Sequence, residues 1–583
     1  MTVHYINECP VCSSTRARYA RTIAAFRLVR CSDCEFLFSN PQPSDAALSE
    51  IYGADYFCGA NNPDLMMQMR VIKRGTAQRY LQRLSGYGVT QGSLLEIGCG
   101  DGDQLVEAEL AGFRVTGIEY SPFAAEKARS KLKSGRVHVG DIHTVDLGDE
   151  RFDVCIMADV IEHVRSPRAC LARVWERLKP GGCLLVATPS LDSWSAKLMG
   201  GSWMELKPEH LSYFNRRTLE SLLWQTGFEK VHFESGVKCV TLAYVDEHFR
   251  RYPSGAWSWL VNAATGLLPK GIRERPRYIA GSGMLALAVK GDRRERPLVS
   301  IIVPVYNEVG TVAELLEGVS RKQISGADKE VVVVESNSTD GSREVVLKFA
   351  ERPSFRVLLE DQPRGKGAAT RLGLQAARGD VVLIQDADLE YDLDDYESLL
   401  EPILAGREAF VLGARHGGGF WKMRQFQGQM LVSSVMNMAH WLFTLMINLC
   451  FATRLRDPFT MYKVFRRDAV AGLDFRCRRF DFDWELLILL LRKGYKPLEV
   501  PVNYRSRSYK DGKKVRFFSD PVTWVLTLCR LRLTKLPYRP GSQPGPRPSL
   551  VSGSTPLATT ATQGEQQRLD SSADTEYCER RDF

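Results

Sequence analysis

Two long stretches of the chain alternate short aliphatic runs with segments of helical periodicity. In the first, from about residue 75 to 290, the runs sit in "LLEIGCGDGD" (Leu94–Asp103), "RVTGIEYS" (Arg114–Ser121), "FDVCIMADVIEHV" (Phe152–Val164) and "CLLVATPS" (Cys183–Ser190). In the second they sit in "LVSIIVPVYNE" (Leu298–Glu308), "EVVVVESNSTDGS" (Glu330–Ser342) and "VVLIQDADLEYD" (Val381–Asp392). Continuous aliphatic runs that end in glycine or acidic residues predict strands buried on both faces, as in parallel sheets. Their alternation with helical patterns predicts two α/β domains in series. A charged linker, "GDRRERP" (Gly291–Pro297), separates them. The expected organisation is a cysteine-punctuated module over 1–40, a first α/β domain over 41–291 and a second over 292–540. The segment 541–583 is rich in Pro, Gly, Ser and Thr and is expected to be disordered, because it has too little apolar surface to order itself.

At 583 residues the chain is too long for one core, and 44% hydrophobic with 25% charged residues is an ordinary globular composition. The net charge of +9 permits attraction to phosphates or to an anionic membrane surface. No basic segment followed by an apolar core opens the sequence, so no signal peptide and a cytoplasmic setting are expected, with the 14 cysteines reduced. Residues Phe426 to Thr453 carry no charge, yet Gln427, Gln429, Asn437, His440 and Asn448 interrupt the stretch. It reads as a surface-lying or buried pair of helices rather than a membrane span.

Cys9-Pro-Val-Cys12 and Cys31-Ser-Asp-Cys34 are two CxxC knuckles. Four thiolates at this spacing can close a tetrahedral Zn²⁺ shell with no open position, which predicts a structural zinc-ribbon-like site.

In the first α/β domain Gly98, Gly100 and Gly102 let backbone approach a ligand where a strand turns into a helix. Glu96 and Asp101 beside them would repel a phosphate and favour a cation. Glu119 ends the next strand, where an acid can take both ribose hydroxyls, and "GDI" (Gly140–Ile142) ends the one after. This order of motifs, closed by "LKPGG" (Leu178–Gly182), resembles the class I S-adenosylmethionine-dependent methyltransferases, a Rossmann-like fold. The resemblance implies Glu96, Gly98 and Gly100 around the methionine part, Glu119 on the ribose, and Asp141 with Ile142 at the adenine. His163 and His210 are candidate bases, because an imidazole takes a proton near neutral pH. The zinc knuckles are similar to those ahead of sugar methyltransferases. No concentrated basic face lies near this domain, so nucleic acid is not an expected partner.

The second domain delivers Asp386, Asp388, Glu390 and Asp392 to the end of one aliphatic strand. Carboxylates so crowded need a positive partner, and a divalent cation bridging them to a nucleotide diphosphate would supply it. With "RGKGAATRLGL" (Arg364–Leu374), "LGARH", "RDPFTMYKVFRR" (Arg456–Arg467), "FDFDWEL" (Phe480–Leu486) and "VPVNYRSRSYKDGKKVR" (Val500–Arg516), the domain resembles glycosyltransferase family 2, of GT-A fold, and within it the dolichyl- or polyprenyl-phosphate sugar transferases. The resemblance implies nucleotide-sugar contacts from Pro304, Tyr306, Glu308, Glu335, Lys366 and Asp386. It places Mg²⁺ or Mn²⁺ on Asp386, Asp388 and Glu390, and Arg415 near the phosphates. Where the family has two acids this chain has Glu335-Ser336, which leaves the base open. A phosphate acceptor is already anionic and needs cations such as Arg415, Arg505, Arg507, Lys513 and Lys514; a sugar hydroxyl needs a base, Asp457 or Asp483.

The whole reads as a bifunctional enzyme of surface polysaccharide or glycolipid synthesis, its acceptor a polyprenyl phosphate or a glycan, working in peripheral contact with the inner face of a membrane. The alternative is a glycosyltransferase whose methyltransferase-like domain acts on an unrelated small molecule or only binds ligand.

Overall fold

The computed structural model describes residues 3–23, 25–44, 46–47, 63–251, 255–292, 294–415, 430–505 and 519–534. Arg507, Lys513, Lys514 and the segment 541–583 lie outside them.

The aliphatic runs form two seven-stranded sheets. From edge to edge the first runs Arg136–Val139, Phe113–Glu119, Gly92–Ile97, Phe152–Ala158, Leu178–Pro189, Arg277–Lys290 and Phe228–Val240. The second runs Phe355–Leu359, Asp328–Glu335, Leu298–Val305, Val381–Ile384, Lys463–Arg466, Phe410–Ala414 and Leu498–Pro501. The expectation of parallel sheets needs one amendment in each: Arg277–Lys290 and Lys463–Arg466 run antiparallel to both of their neighbours. The aliphatic positions of the central strands are mostly buried, which their aliphatic sequence requires. In each sheet the strand order reverses beside the first strand of the domain, between Gly92–Ile97 and Phe152–Ala158 and between Leu298–Val305 and Val381–Ile384. Such switch points open a crevice at the carboxyl ends of the strands.

The cysteine module is a small antiparallel sheet of Ala17–Ile23, Phe26–Cys31 and Leu37–Ser39, completed by Ser212–Tyr213 from the first α/β domain. Phe36 stacks on Phe38 and against Phe214, and the four cysteines share one apolar cluster with the first domain's core. The charge-free stretch forms a single helix, Met430–Phe451, rather than a pair among the described residues. No described helix is long and apolar enough to cross a membrane. Of the polar interruptions, Gln427 and Gln429 lie outside the described residues; Asn437 and His440 are buried, and Asn448 donates to the Leu455 carbonyl at 2.9 Å. Met438, Leu442, Leu445 and Leu449, at helical spacing, form an exposed apolar stripe.

One helix joins the two domains. Arg216–Gln225 starts at Asn215, whose side chain accepts from Thr218 N at 2.8 Å while Thr218 Oγ1 accepts from Asn215 N at 3.1 Å. Leu219, Leu222 and Leu223 enter the first core. The opposite face meets the second domain: Arg217 pairs with Glu408 at 2.6 Å, Ser221 donates to the Gly406 carbonyl, Tyr495 donates to Glu220, and the Arg466 guanidinium lies 5.1 Å from the Trp224 ring centre. Gly406 has φ 69°, and a Cβ there would overlap the Gln225 amide. Gly406→Ala should therefore destabilise the full chain by about 1–2 kcal/mol in urea unfolding. Gln225→Ala should recover part of that loss by removing the overlapped group.

Candidate active sites

In the first domain the turn Gly98–Gly102 lies at the switch point, and all three glycines have positive φ. A Cβ on Gly98 would meet Val160 Cγ2 at 2.6 Å, whereas one on Gly100 would meet nothing within 4 Å. Gly98 is thus fixed by packing, and Gly100 borders open space. Glu119 accepts from Gly100 N at 2.8 Å and from Ser121 N at 2.9 Å, so it both shapes the turn and ends the adjacent strand. Glu96 is 4% exposed, and its Oε2 meets no hydrogen-bond partner among the described residues. Burial, and then the nearby Glu119 carboxylate, push the Glu96 carboxyl well above its usual range. Asp101 differs from expectation: it pairs with Lys73 at 2.6 Å and Lys131 at 2.9 Å, so its charge is already answered. Ile142 is buried, while Asp141 is exposed and caps its own turn, accepting from His143 N at 2.7 Å and Thr144 N at 3.0 Å.

His163 and His210, distant in sequence, meet edge to face with ring centres 4.8 Å apart. Burial holds His163 down to about 4 and His210 well below the ordinary imidazole value. Both rings are thereby held neutral at neutral pH, because charging them would cost hydration. Glu162 joins them and was not singled out from sequence, although it stands next to His163. It is 1% exposed, and burial and the Asp159 carboxylate raise its carboxyl to about 8.

At the amino end, the four Sγ atoms of Cys9, Cys12, Cys31 and Cys34 all lie within 4.8 Å of one another, with Cys9–Cys34 at 3.5 Å and Cys12–Cys31 at 3.6 Å. Four thiolates around an ion at roughly 2.3 Å stand about 3.8 Å apart, so the donor set and spacing fit.

In the second domain the crowded carboxylates are answered one by one. Lys366, from the first turn of helix Lys366–Ala376, pairs with Asp386. Tyr504 donates to Glu390 at 2.9 Å, and Asp392 accepts from Asp394 N at 2.9 Å. Asp388 is 8% exposed and accepts weakly from Glu390 N at 3.4 Å. Asp483 lies 3.5 Å from Lys463, which is itself fully buried. Tyr306 is exposed, and Pro304 and Glu308 are half-buried, around a turn whose Asn307 accepts from Thr339 N at 2.9 Å.

Two of the expected site residues are buried in ion pairs. Glu335 is fully buried; it pairs with Arg343 at 2.7 Å and accepts from Ser338 N at 2.6 Å. Both of its oxygens are thus engaged within the protein, shaping the loop that follows the strand. Asp457 is fully buried in a bidentate pair with Arg415, 2.7 Å on each arm, and also accepts from Arg415 N at 3.1 Å. Burial works to raise its carboxyl, and the guanidinium overrides this and holds it well below the usual range. A carboxylate so held is a poor proton acceptor; it orients Arg415, whose guanidinium carbon lies 5.1 Å from the Tyr504 ring centre.

Two α/β sheets, each with charged groups gathered at its switch point, define a two-domain group-transfer enzyme. Family profiles match on both: "Methyltransferase domain" over residues 69–233 and "Glycosyl transferase family 2" over residues 300–473. The chain belongs to glycosyltransferase family 2 and carries a methyltransferase domain ahead of it. A dolichyl-phosphate beta-glucosyltransferase of Trichomonas vaginalis is 30% identical over 247 residues, 40% of this chain and 72% of that protein. The dolichyl-phosphate beta-glucosyltransferase of Saccharomyces cerevisiae is 26% identical over 295 residues, 45% of this chain and 86% of that one. A low-salt glycan biosynthesis hexosyltransferase of Haloferax volcanii is 28% identical over 40% of this chain and 55% of its own length. Among solved structures, a SAM-dependent methyltransferase from Archaeoglobus fulgidus aligns with 39% of this chain and 100% of that one at 18% identity, with a TM-score of 0.27.

Asp457→Asn should destabilise the full chain by about 3–5 kcal/mol in urea unfolding, because it leaves the Arg415 charge buried without its counterion. A residue serving only as a base would leave stability unchanged.

Proposed function

We propose that the chain both methylates and glycosylates intermediates of glycan or glycolipid assembly, with S-adenosylmethionine as methyl donor and a nucleotide sugar as glycosyl donor. The observation that carries the methyl-donor reading is the buried Glu96 with its unpartnered Oε2 beside the open face of Gly100. A buried acid without a cation is costly, and a cationic ligand would relieve it. Glu96, Gly98 and Gly100 would hold the methionine part, Glu119 the ribose, and Asp141 and Ile142 the adenine. The donor supplies an electrophilic sulfonium methyl; the protein binds, orients and keeps water from it.

In the second domain Pro304, Tyr306 and Glu308 would flank the nucleoside. Mg²⁺ or Mn²⁺ would be held by Asp386, Asp388 and Glu390 and would neutralise the leaving diphosphate. Lys366, already against Asp386, and Arg415 would add fixed positive charge beside it. Both relatives named as dolichyl-phosphate glucosyltransferases support a lipid-phosphate acceptor. So does the apolar stripe Met438–Leu449, which suits peripheral contact with a membrane surface. Arg505, exposed where the chain passes Glu390, would meet the acceptor phosphate; for a hydroxyl acceptor Asp483 would take the proton. Zn²⁺ in the cysteine cluster would tie the small module to the first core.

Two measurements on the full chain test this. Titration calorimetry should show S-adenosylmethionine binding, weakened in Glu119→Ala by roughly 1.5–3 kcal/mol, since charge-assisted bonds to the ribose and the anchor of Gly100 N are both lost. An unchanged dissociation constant would remove the cradle from this site. Transfer from nucleotide sugar to polyprenyl phosphate should fall on the order of a hundredfold or more in Asp388→Asn, with the melting temperature held. Full wild-type turnover in excess EDTA would remove the metal.

A further inference from the structure

Glu162, His163 and His210 form a second constellation of metal-ligand chemistry, apart from the cysteines. One ligand atom from each lies within 4.8 Å of the other two. Backbone bonds hold the distant segments together: Leu211 N and Ser212 N both donate to the Glu162 carbonyl, at 2.8 and 3.0 Å. The imidazoles are oriented as ligands are. His163 Nδ1 lies 3.1 Å from the Glu209 carbonyl and His210 Nδ1 lies 2.8 Å from the Glu205 carbonyl. A carbonyl can only accept, so each Nδ1 carries the proton and each Nε2 the lone pair. On the third ligand, one carboxylate oxygen accepts from Thr188 Oγ1 at 2.8 Å, while the other, Oε1, is buried with no hydrogen-bond partner among the described residues. A buried, unanswered carboxylate oxygen beside two ring nitrogens is an arrangement that a cation completes.

The cluster borders the glycine turn of the first domain. Its segment follows strand Phe152–Ala158 at the switch point, and Val160 packs directly on Gly98. The other charges there are answered: Asp159 by Lys238 at 2.5–2.7 Å, and Glu205 by Ser282 at 2.8 Å and Lys207 at 3.4 Å.

We propose that Glu162, His163 and His210 bind one divalent cation, whose remaining positions take oxygens of the methyl acceptor, such as adjacent hydroxyls or a carboxylate of a sugar. Two imidazoles and a carboxylate suit Mn²⁺, Fe²⁺, Co²⁺ or Zn²⁺. Ligands about 2.1 Å from an ion stand roughly 3–3.4 Å apart, so loading draws the three side chains together by small rotations. Cation binding stands by itself; only the acceptor's place at the ion rests on the methyl-donor reading above.

The test uses the full chain, stripped with EDTA at neutral pH and reloaded with Mn²⁺ without nucleotide. Spin-echo modulation from imidazole nitrogen distinguishes this site, because Asp386, Asp388 and Glu390 offer only oxygen and the cysteine cluster only sulfur. Wild type should show that modulation. A His163→Ala/His210→Ala variant should lose it and bind one Mn²⁺ fewer per chain, and Glu162→Gln should bind at least tenfold more weakly. Absence of nitrogen modulation in loaded wild type would overturn the proposal, a result that does not depend on any variant folding. Modulation that persists in the double variant, or an unchanged affinity in Glu162→Gln, would overturn it equally.

Discussion

Parallel strands deliver all their carboxyl ends to one edge of the sheet, and in this chain those ends carry acids. Everything at the two sites follows from how that charge is answered. In the glycosyltransferase domain the answer is internal: Lys366 for Asp386, Arg343 for Glu335, Arg415 for Asp457 and Lys463 for Asp483. In the methyltransferase domain Lys73 and Lys131 answer Asp101, but Glu96 and Glu162 each keep a buried oxygen with no partner among the described residues. The glycosyltransferase domain thus answers most of its acids from within, Asp388 keeping only a weak backbone bond, whereas the methyltransferase domain leaves two buried carboxylate oxygens without a partner among the described residues. Because the desolvation cost of a lone buried carboxylate is several kcal/mol, such deficits belong at binding sites rather than in cores.

Much of this was legible in the sequence. Aliphatic runs ending in Gly98–Gly102, Glu119, Asp141 and Asp386–Asp388 placed the strands and the edge where chemistry gathers, because burial on both faces leaves no polar position within the run. The CxxC spacing foretold the cysteine cluster for a similar reason, since each knuckle is local. What sequence could not show was partnership across distance. That Arg415 would close on Asp457, or Arg343 on Glu335, depends on which elements the sheet order brings together, and periodicity is silent on that. The same is true of the antiparallel insertions Arg277–Lys290 and Lys463–Arg466, whose aliphatic runs look like any other buried strand. Glu162 is intermediate: its neighbour His163 drew attention, but only the fold brings His210 beside both.

The burial of Glu335 and Asp457 in ion pairs has one cause. Both are acids at strand or loop ends, and such residues can face a ligand or a neighbouring arginine. Motif position does not distinguish these outcomes; burial and geometry do, and here each carboxylate is turned inward.

The helix Arg216–Gln225 is buried on two sides by two different cores. The gene is therefore not a string of interchangeable parts. Cutting at the Gly291–Pro297 linker would free no natural surface: it would strand Trp224 and the Glu220 carboxylate on one fragment, and Arg466 and Tyr495 on the other. Recombination or domain swapping at that linker would be viable only with a partner that restores this face.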